Sequence, residues 1–287
     1  MNAARAGAVP IARSDRRAHS HRLALRRTAL MALALSAGCA TRRAPTPVAA
    51  LGGPLPRVAE LTRALDQQRA ARTSLRTLAR LAYDGPDERG HARQAMLVMR
   101  PARLRIEVLS PLGTVFVLAA DDGALAAYAR NEATLYRGRA TRANLQRYAR
   151  VTLDVNDAVD LLLGTPPSRR TRNDVVSFDA AEGAIELWRE LDRGAQVVWF
   201  NGALQPVAIE ERADDGRALW RARFRDFDAP HADMPAHIEL DMPSEARHVV
   251  LDLQDLEVNP ALAETWFTLA TPPGVTEVRL DDAEADS

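Results

Sequence analysis

Apolar and polar residues alternate with a period of two over most of this chain. Leu104, Ile106 and Val108 alternate with Arg103, Arg105 and Glu107. Ile185, Leu187 and Leu191 alternate with Glu186, Trp188 and Glu190, and Val207 and Ile209 with Ala208 and Glu210. Ile238, Leu240 and Met242 alternate with His237, Glu239 and Asp241, while Val249, Leu251 and Leu253 oppose Asp252 and Gln254. Each run predicts a strand with one apolar and one wet face. Asp122-Gly123, Asn201-Gly202 and Asp215-Gly216 fall between such runs. They read as tight hairpin turns, which need positive φ. Successive hairpins predict an antiparallel meander rather than a parallel α/β sheet.

Helical spacing is rarer. Val58, Leu61 and Leu65 predict one amphipathic helix over 57–72. A second patch runs from Thr141 to Arg150, and a third from Asn156 to Leu163, stopped by Gly164 and Pro166-Pro167. A large curved sheet with one apolar face needs a cover, and these helices are the candidates for it. Trp266 to Leu269 reads as a last strand entering the turn Thr271-Pro-Pro-Gly-Val275, and the acidic tail 281–287 reads as disordered.

The first 38 residues follow another logic. A basic stretch ends at Arg26-Arg27, an apolar run covers Thr28 to Leu35, and Ser36-Ala37-Gly38 lead to Cys39, the chain's single cysteine. Positive charge, a short apolar run and small residues make an export signal rather than a structural helix. The end of the run resembles the bacterial lipobox, with Ser36 where Leu is usual. Cys39 is therefore expected to carry the lipid anchor after residues 1–38 are removed. Acyl chains there bury many CH2 groups at about 0.8 kcal/mol each, which holds the protein on a membrane. Ala40, where an Asp would retain such a protein at the inner membrane, points to the outer membrane, facing the periplasm. Residues 39–56 are rich in Pro, Gly and Ala and read as a tether. The domain proper is expected over 57–280. A lone cysteine excludes an internal disulfide.

Charge narrows the function classes. All 38 basic residues are Arg. Seven of them and one of the 38 acids precede Cys39, leaving 31 Arg against 37 acids in the mature chain. That acidic balance offers no footprint for nucleic acid. Arg221, Arg223 and Arg225 alternate with Ala222 and Phe224 and read as a solvated strand face, with an anionic lipid contact as the alternative. No nucleophile elbow, zinc-binding helix, phosphate loop or cysteine cluster is present in the sequence. His91, His231, His237 and His248 are isolated, so no catalytic residue, metal or cofactor is expected and the chain reads as a non-enzyme. The loop Ser110-Pro111-Leu112-Gly113 is unusual, because turn tips are normally polar. Leu112 either folds back on the sheet edge or projects as an apolar probe.

At this loop the sequence resembles the LolA/LolB superfamily, and the LolB-like outer-membrane lipoprotein receptors in particular. The resemblance rests on Leu104-Arg-Ile-Glu-Val-Leu-Ser-Pro-Leu-Gly-Thr114, on Ala158-Val-Asp-Leu-Leu-Leu-Gly-Thr-Pro166, and on Asp233-Met-Pro-Ala-His-Ile-Glu-Leu240 with Arg247-His-Val-Val-Leu-Asp-Leu253. The close, Phe267 to Val275, is nearer the soluble carrier LolA. The resemblance implies a mainly β fold with a few helices: a single unclosed antiparallel β-barrel, or half-barrel, with helices covering its apolar concave side. It implies a monomer that binds acyl chains of lipoproteins or other lipids, meets a periplasmic carrier protein, and inserts its cargo into the outer membrane. Pro111, Leu112 and Gly113 would form the membrane-insertion loop. Alternation nominates Leu104, Ile106, Val108, Val115, Val117, Ile185, Leu187, Val249 and Leu251 as the cavity lining, and Leu145, Tyr148, Leu161 and Leu162 as the lid. The rival reading is an envelope structural or interaction lipoprotein with the same fold and a filled core. A hydrolase would need a His in the cavity, and the strand phases put His237 and His248 outside.

Overall fold

A computed structural model describes residues 54–86, 88–227 and 234–280. Cys39, the signal, most of the tether, His231, Asp233 and the acidic tail lie outside the described residues. A helix, α1 (Val58–Ala71), precedes six strands: β1 (Ser74–Asp84), β2 (Arg89–Met99), β3 (Arg103–Ser110), β4 (Gly113–Asp121), β5 (Ala124–Ala129) and β6 (Thr134–Arg139). Two eight-residue helices follow, α2 (Arg142–Ala149) and α3 (Val155–Leu162). Then come β7 (Asn173–Asp179), β8 (Ala184–Glu190), β9 (Ala195–Phe200), β10 (Pro206–Arg212), β11 (Ala218–Arg225), β12 (His237–Met242), β13 (Arg247–Val258) and β14 (Thr276–Arg279).

All fourteen strands form one sheet, in the order β14-β6-β5-β4-β3-β2-β1-β13-β12-β11-β10-β9-β8-β7. The chain builds one half outward from β1, crosses by way of α2 and α3, and builds the other half inward until β13 pairs with β1. The sheet does not close, because β7 and β14 are its two ends. Every pairing is antiparallel except that of β14, which runs parallel to β6 and so departs from the expected all-antiparallel sheet. The three hairpin dipeptides sit at the β4–β5, β9–β10 and β10–β11 turns, with Gly123 at φ +100° and Gly216 at φ +80°; at β9–β10, however, the positive φ falls on Leu204 (+57°) and not on Asn201-Gly202, because the Asn201 side chain accepts from the Ala203 and Gln205 amides and shapes a longer loop.

One apolar cluster runs along the concave face, from Leu135 on β6 to Leu187 on β8, and takes in Leu61 and Leu65 of α1. The opposite face carries a small apolar cluster of Ala184, Val197, Trp199 and Ala208 on β8–β10 and, over β11–β12, a row of charges. Arg221 meets Glu182 at 2.8 Å, Arg223 meets Asp241 at 2.9 Å and Arg225 meets Glu239 at 3.0 Å. The first reaches the β7–β8 turn and the other two cross to β12, so the row read as a solvated strand face carries arginines paired with carboxylates.

The predicted strand at Trp266–Leu269 is instead a 3-10 turn, Glu264–Phe267. Phe267 is buried, and Arg105 donates to the Trp266 carbonyl at 2.9 Å. A single buried aromatic pins this segment beneath the charged face of β3, with no neighbouring strand to complete a ladder. The chain pairs only later, at β14.

Candidate functional site

Beneath α2 and α3 the concave face holds an apolar cavity of about 100 Å³. Its floor follows from strand register, because directly opposed residues share a face. Leu104, Ile106 and Val108 on β3 oppose Ala120, Leu118 and Phe116 on β4. On the other side they oppose Val98, Met96 and Gln94 of β2. Further along, Leu81 opposes Leu251, Leu251 opposes Ile238, and Val249 opposes Leu240. Leu104, Ile106, Val108, Val249 and Leu251 all line the hollow.

Four nominated lining residues are placed elsewhere. Val117 opposes Glu107 and so shares the charged face. Val115 sits at a register shift between Val108 and Leu109, which takes it out of the row; Phe116 and Leu118 line the cavity in place of these two. A strand apolar on both sides hides its phase, and only the partner strand reveals it. Ile185 and Leu187 do face the concave side, but they are packed into the far wing of the core, 3% and 0% exposed, and do not border the hollow. Sequence reasoning also missed Gln94 and Met96, since the stretch Arg89–Met99 has no clean alternation.

The cover is built from α2, α3 and their connector. Leu145 and Tyr148 of α2 and Leu161 and Leu162 of α3 all face the cavity, with Ala158 and Leu153. Thr141 caps α2, its hydroxyl accepting from the Asn144 amide at 3.2 Å. α3 starts one residue before the expected Asn156, with Asp154 as its N-cap, whose carboxylate is taken by Arg142 at 2.6 Å. Gly164 ends α3 at φ +66°, where a Cβ would also lie 2.6 Å from Pro235.

The back of α3 is held by charge. Asp160, 3% exposed, accepts from Arg69 at 2.8 Å, from Arg100, and from the Ser168 amide at 3.2 Å. Arg72 donates to the carbonyls of Leu163 and Gly164, both at 3.2 Å, where the helix end is electronegative. Arg169 bridges Asp157, at 2.5 and 2.9 Å, to Glu211. Burial raises the Glu211 pKa, and the Arg169 guanidinium only partly offsets this. So α3 turns its apolar side to the cavity and its carboxylates to a ring of arginines. At the other end of the cover, Arg150 lies 2.7 Å from Glu88.

The β3–β4 turn projects away from this hollow. Ser110 Oγ accepts from the Leu112 amide at 3.2 Å and donates to the Gly113 carbonyl at 2.9 Å. Gly113 takes φ +106°. Leu112 is 92% exposed, so it does not fold back on the sheet. The register Asp84↔Arg89 and Arg93↔Leu109 puts this turn at the same end of the sheet as the β1–β2 turn that carries Glu88.

His237 and His248 lie on the charged face. His237 Nδ1 is 2.7 Å from Asp252 and its Nε2 is 3.1 Å from Glu239, while His248 Nδ1 is 2.6 Å from Asp241. Partial burial lowers the His237 pKa, but the two carboxylates outweigh it and hold the value above the ordinary one. Among the described residues no cluster of His, Cys, Asp and Glu could hold a metal ion. No described helix is long and apolar enough to cross a membrane.

These features define a class: an open, mostly antiparallel sheet with an apolar cavity under two short helices. No protein-family model and no curated protein matches the chain. Similar solved structures include a DUF1329 family protein from Desulfovibrio piger, at 13% identity and TM-score 0.49 over 73% of this chain and 95% of that one. Another is a LolA superfamily protein from Nitrosomonas europaea, at 16% identity and TM-score 0.46 over 74% and 97%. A third, described as an outer membrane lipoprotein-sorting protein domain, is from Vibrio parahaemolyticus, at 12% identity and TM-score 0.48 over 73% and 95%.

Proposed function

We propose that the protein is held on the periplasmic face of the outer membrane through Cys39, binds acyl chains under α2 and α3, and passes lipoproteins into the bilayer. The observation that carries this reading is the apolar hollow itself, floored by β2–β4 and β11–β13 and roofed by Leu145, Tyr148, Leu161 and Leu162. Burying hydrocarbon gives roughly 25 cal/mol per Å² of apolar area, so partition alone drives loading and no bond chemistry is needed. At about 100 Å³ the hollow is smaller than the roughly 150 Å³ that holds one benzene, so an acyl chain enters only as the helices lift. Leu112, with Pro111 and Gly113, is the tip that dips into lipid. The partner that brings the cargo is a periplasmic carrier, and the protein works as a monomer, without cofactor or catalysis.

A second reading keeps the fold but makes it an envelope interaction lipoprotein with a filled core. The small size of the hollow favours it. Transfer of an acylated lipoprotein to liposomes separates the two. Leu112→Glu is expected to leave the unfolding midpoint unchanged, since the side chain is 92% exposed, while slowing transfer severalfold. Transfer at the wild-type rate removes the loop from the mechanism, and no transfer by the wild type favours the second reading.

A further inference from the structure

The Leu112 tip has a charged setting that the cavity does not explain. Arg130, on the β5–β6 turn, donates to the Thr114 carbonyl at 3.4 Å, and its Nη1 lies 3.7 Å from where a Cβ on Gly113 would stand. On the other side of the tip the register runs Thr114, Leu109, Arg93, Arg80 across β4, β3, β2 and β1. Directly opposed residues share a face, so these form one row on the outer side of the sheet, away from the hollow. At about 4.8 Å per strand, Arg93 is about 10 Å and Arg80 about 14 Å from Thr114. All three arginines are exposed, and none has a carboxylate within ion-pair distance among the described residues. Elsewhere on this side arginines are paired: Arg103 with Asp121 at 2.6 Å, Arg105 with Glu107 at 2.7 Å and Arg223 with Asp241 at 2.9 Å. The acids nearest the row are already engaged. Asp252, opposite Arg80, is held by His237 at 2.7 Å, and Glu132 of the β5–β6 turn by the Tyr136 hydroxyl at 2.7 Å. Arg80 and Arg93 oppose each other directly, and like charges so placed destabilise a sheet unless an anion lies between them.

We propose that this end of the sheet docks on a membrane surface rich in anionic phospholipid, with Leu112 entering the acyl layer and Arg80, Arg93 and Arg130 meeting headgroup phosphates on either side of it. Two observations set the partner. The arginines are exposed and spread over β1, β2 and the β5–β6 turn, which suits an array of phosphates rather than one. A leucine that is 92% exposed stands between them, and a soluble anion would leave it in water. The charge of the whole chain opposes the contact, since 31 Arg stand against 37 acids after residue 38, so the attraction is local to this end. The inference rests on the role given to the Leu112 loop above and adds the class of lipid it meets.

The test uses the chain from residue 39 onward carrying Cys39→Ser, so that neither an acyl anchor nor the seven arginines of residues 1–38 contribute. Its partition onto phosphatidylcholine vesicles is compared with that onto vesicles holding about 30% phosphatidylglycerol. Each arginine near an anionic surface is worth about fivefold, so the anionic vesicles should bind about 100-fold more tightly at low ionic strength, and the preference should shrink severalfold in about 0.5 M salt. Arg80→Gln, Arg93→Gln and Arg130→Gln together should remove most of that preference and leave binding to the neutral vesicles unchanged. Leu112→Ser should weaken binding to both. Equal binding of the parent chain to the two kinds of vesicle overturns the inference, as does a preference that survives the triple substitution. Arginine-dependent binding to polyglutamate in place of vesicles also overturns it, giving the row to an acidic protein. The triple variant's unfolding midpoint should not fall, because Arg80 and Arg93 repel; if it fails to fold, the parent chain's vesicle and salt dependence decides. Unaltered binding by Leu112→Ser, with the arginine dependence intact, sinks the loop reading itself, which is a different result from equal binding.

Discussion

Two stretches of the same concave face behave differently. Over the far wing, Ile185, Leu187, Val198, Phe200 and Ile209 are all at most 3% exposed and pack solidly, with α1 lying on β7. Over the middle, β2–β4 and β11–β13 face α2 and α3 across a hollow. The alternation is the same in both. What differs is side-chain size and the cover. Ala222 and Ala158 face each other's territory in the middle where the wing has Phe200 and Ile209, and the middle is roofed by helices of only two turns. Close packing is the default of protein interiors, so a void beside small residues marks a place where the cover meets the floor only in part, as where Tyr148 stacks on Phe116. The set of arginines around Asp157 and Asp160 supplies a second hold on α3.

The largest effect is expected at Asp160. Asp160→Ala strips the part-buried Arg69 and Arg100 of the buried carboxylate they share and should cost about 3 kcal/mol in urea unfolding. A loss under 1 kcal/mol would show that the cover does not depend on this cluster. Packing gives the next effect. Leu187→Ala in the solid wing should cost about 3 kcal/mol, and Ile106→Ala beside the hollow about half of that, because part of its neighbourhood is already empty. Equal costs would mean the middle is as tightly packed as the wing. The smallest effect lies on the charged face. The His237 pKa is raised above 6.5, so its contribution is complete below pH 6.5 and is lost as pH rises through the folded value. His237→Gln should therefore flatten a small fall in the unfolding midpoint between pH 6 and 8. An unchanged slope would show that Asp252 and Glu239 do not favour the charged ring.

Much of this was legible in the residues. Alternation marked β3, β8, β12 and β13, the Asp-Gly and Asn-Gly pairs marked the hairpins, and Gly164 marked the end of α3. Two-sided strands were not legible in the same way. Val115 to Leu118 is apolar at every step, so only pairing with β3 sets its phase, and the register shift at Val108/Leu109 is invisible in sequence. Nor does alternation tell a lining residue from a packed one: Leu187 and Ile106 follow the same rule and differ only in what lies above them. Gln94 was hidden because one polar residue in an irregular stretch looks like solvent exposure. The parallel pairing of β14 to β6 depends on where the chain returns after Phe267, which no local pattern encodes.

Whether the hollow under α2 and α3 accepts an acyl chain is decided by native mass spectrometry of the full chain carrying Cys39→Ser, isolated without detergent, beside the same chain with Ala158→Leu. The account predicts a noncovalent acyl species that is present natively, disappears under denaturing conditions, and is missing from the Ala158→Leu chain. A bare protein mass in the first chain, or an acyl species retained equally by both, would contradict it.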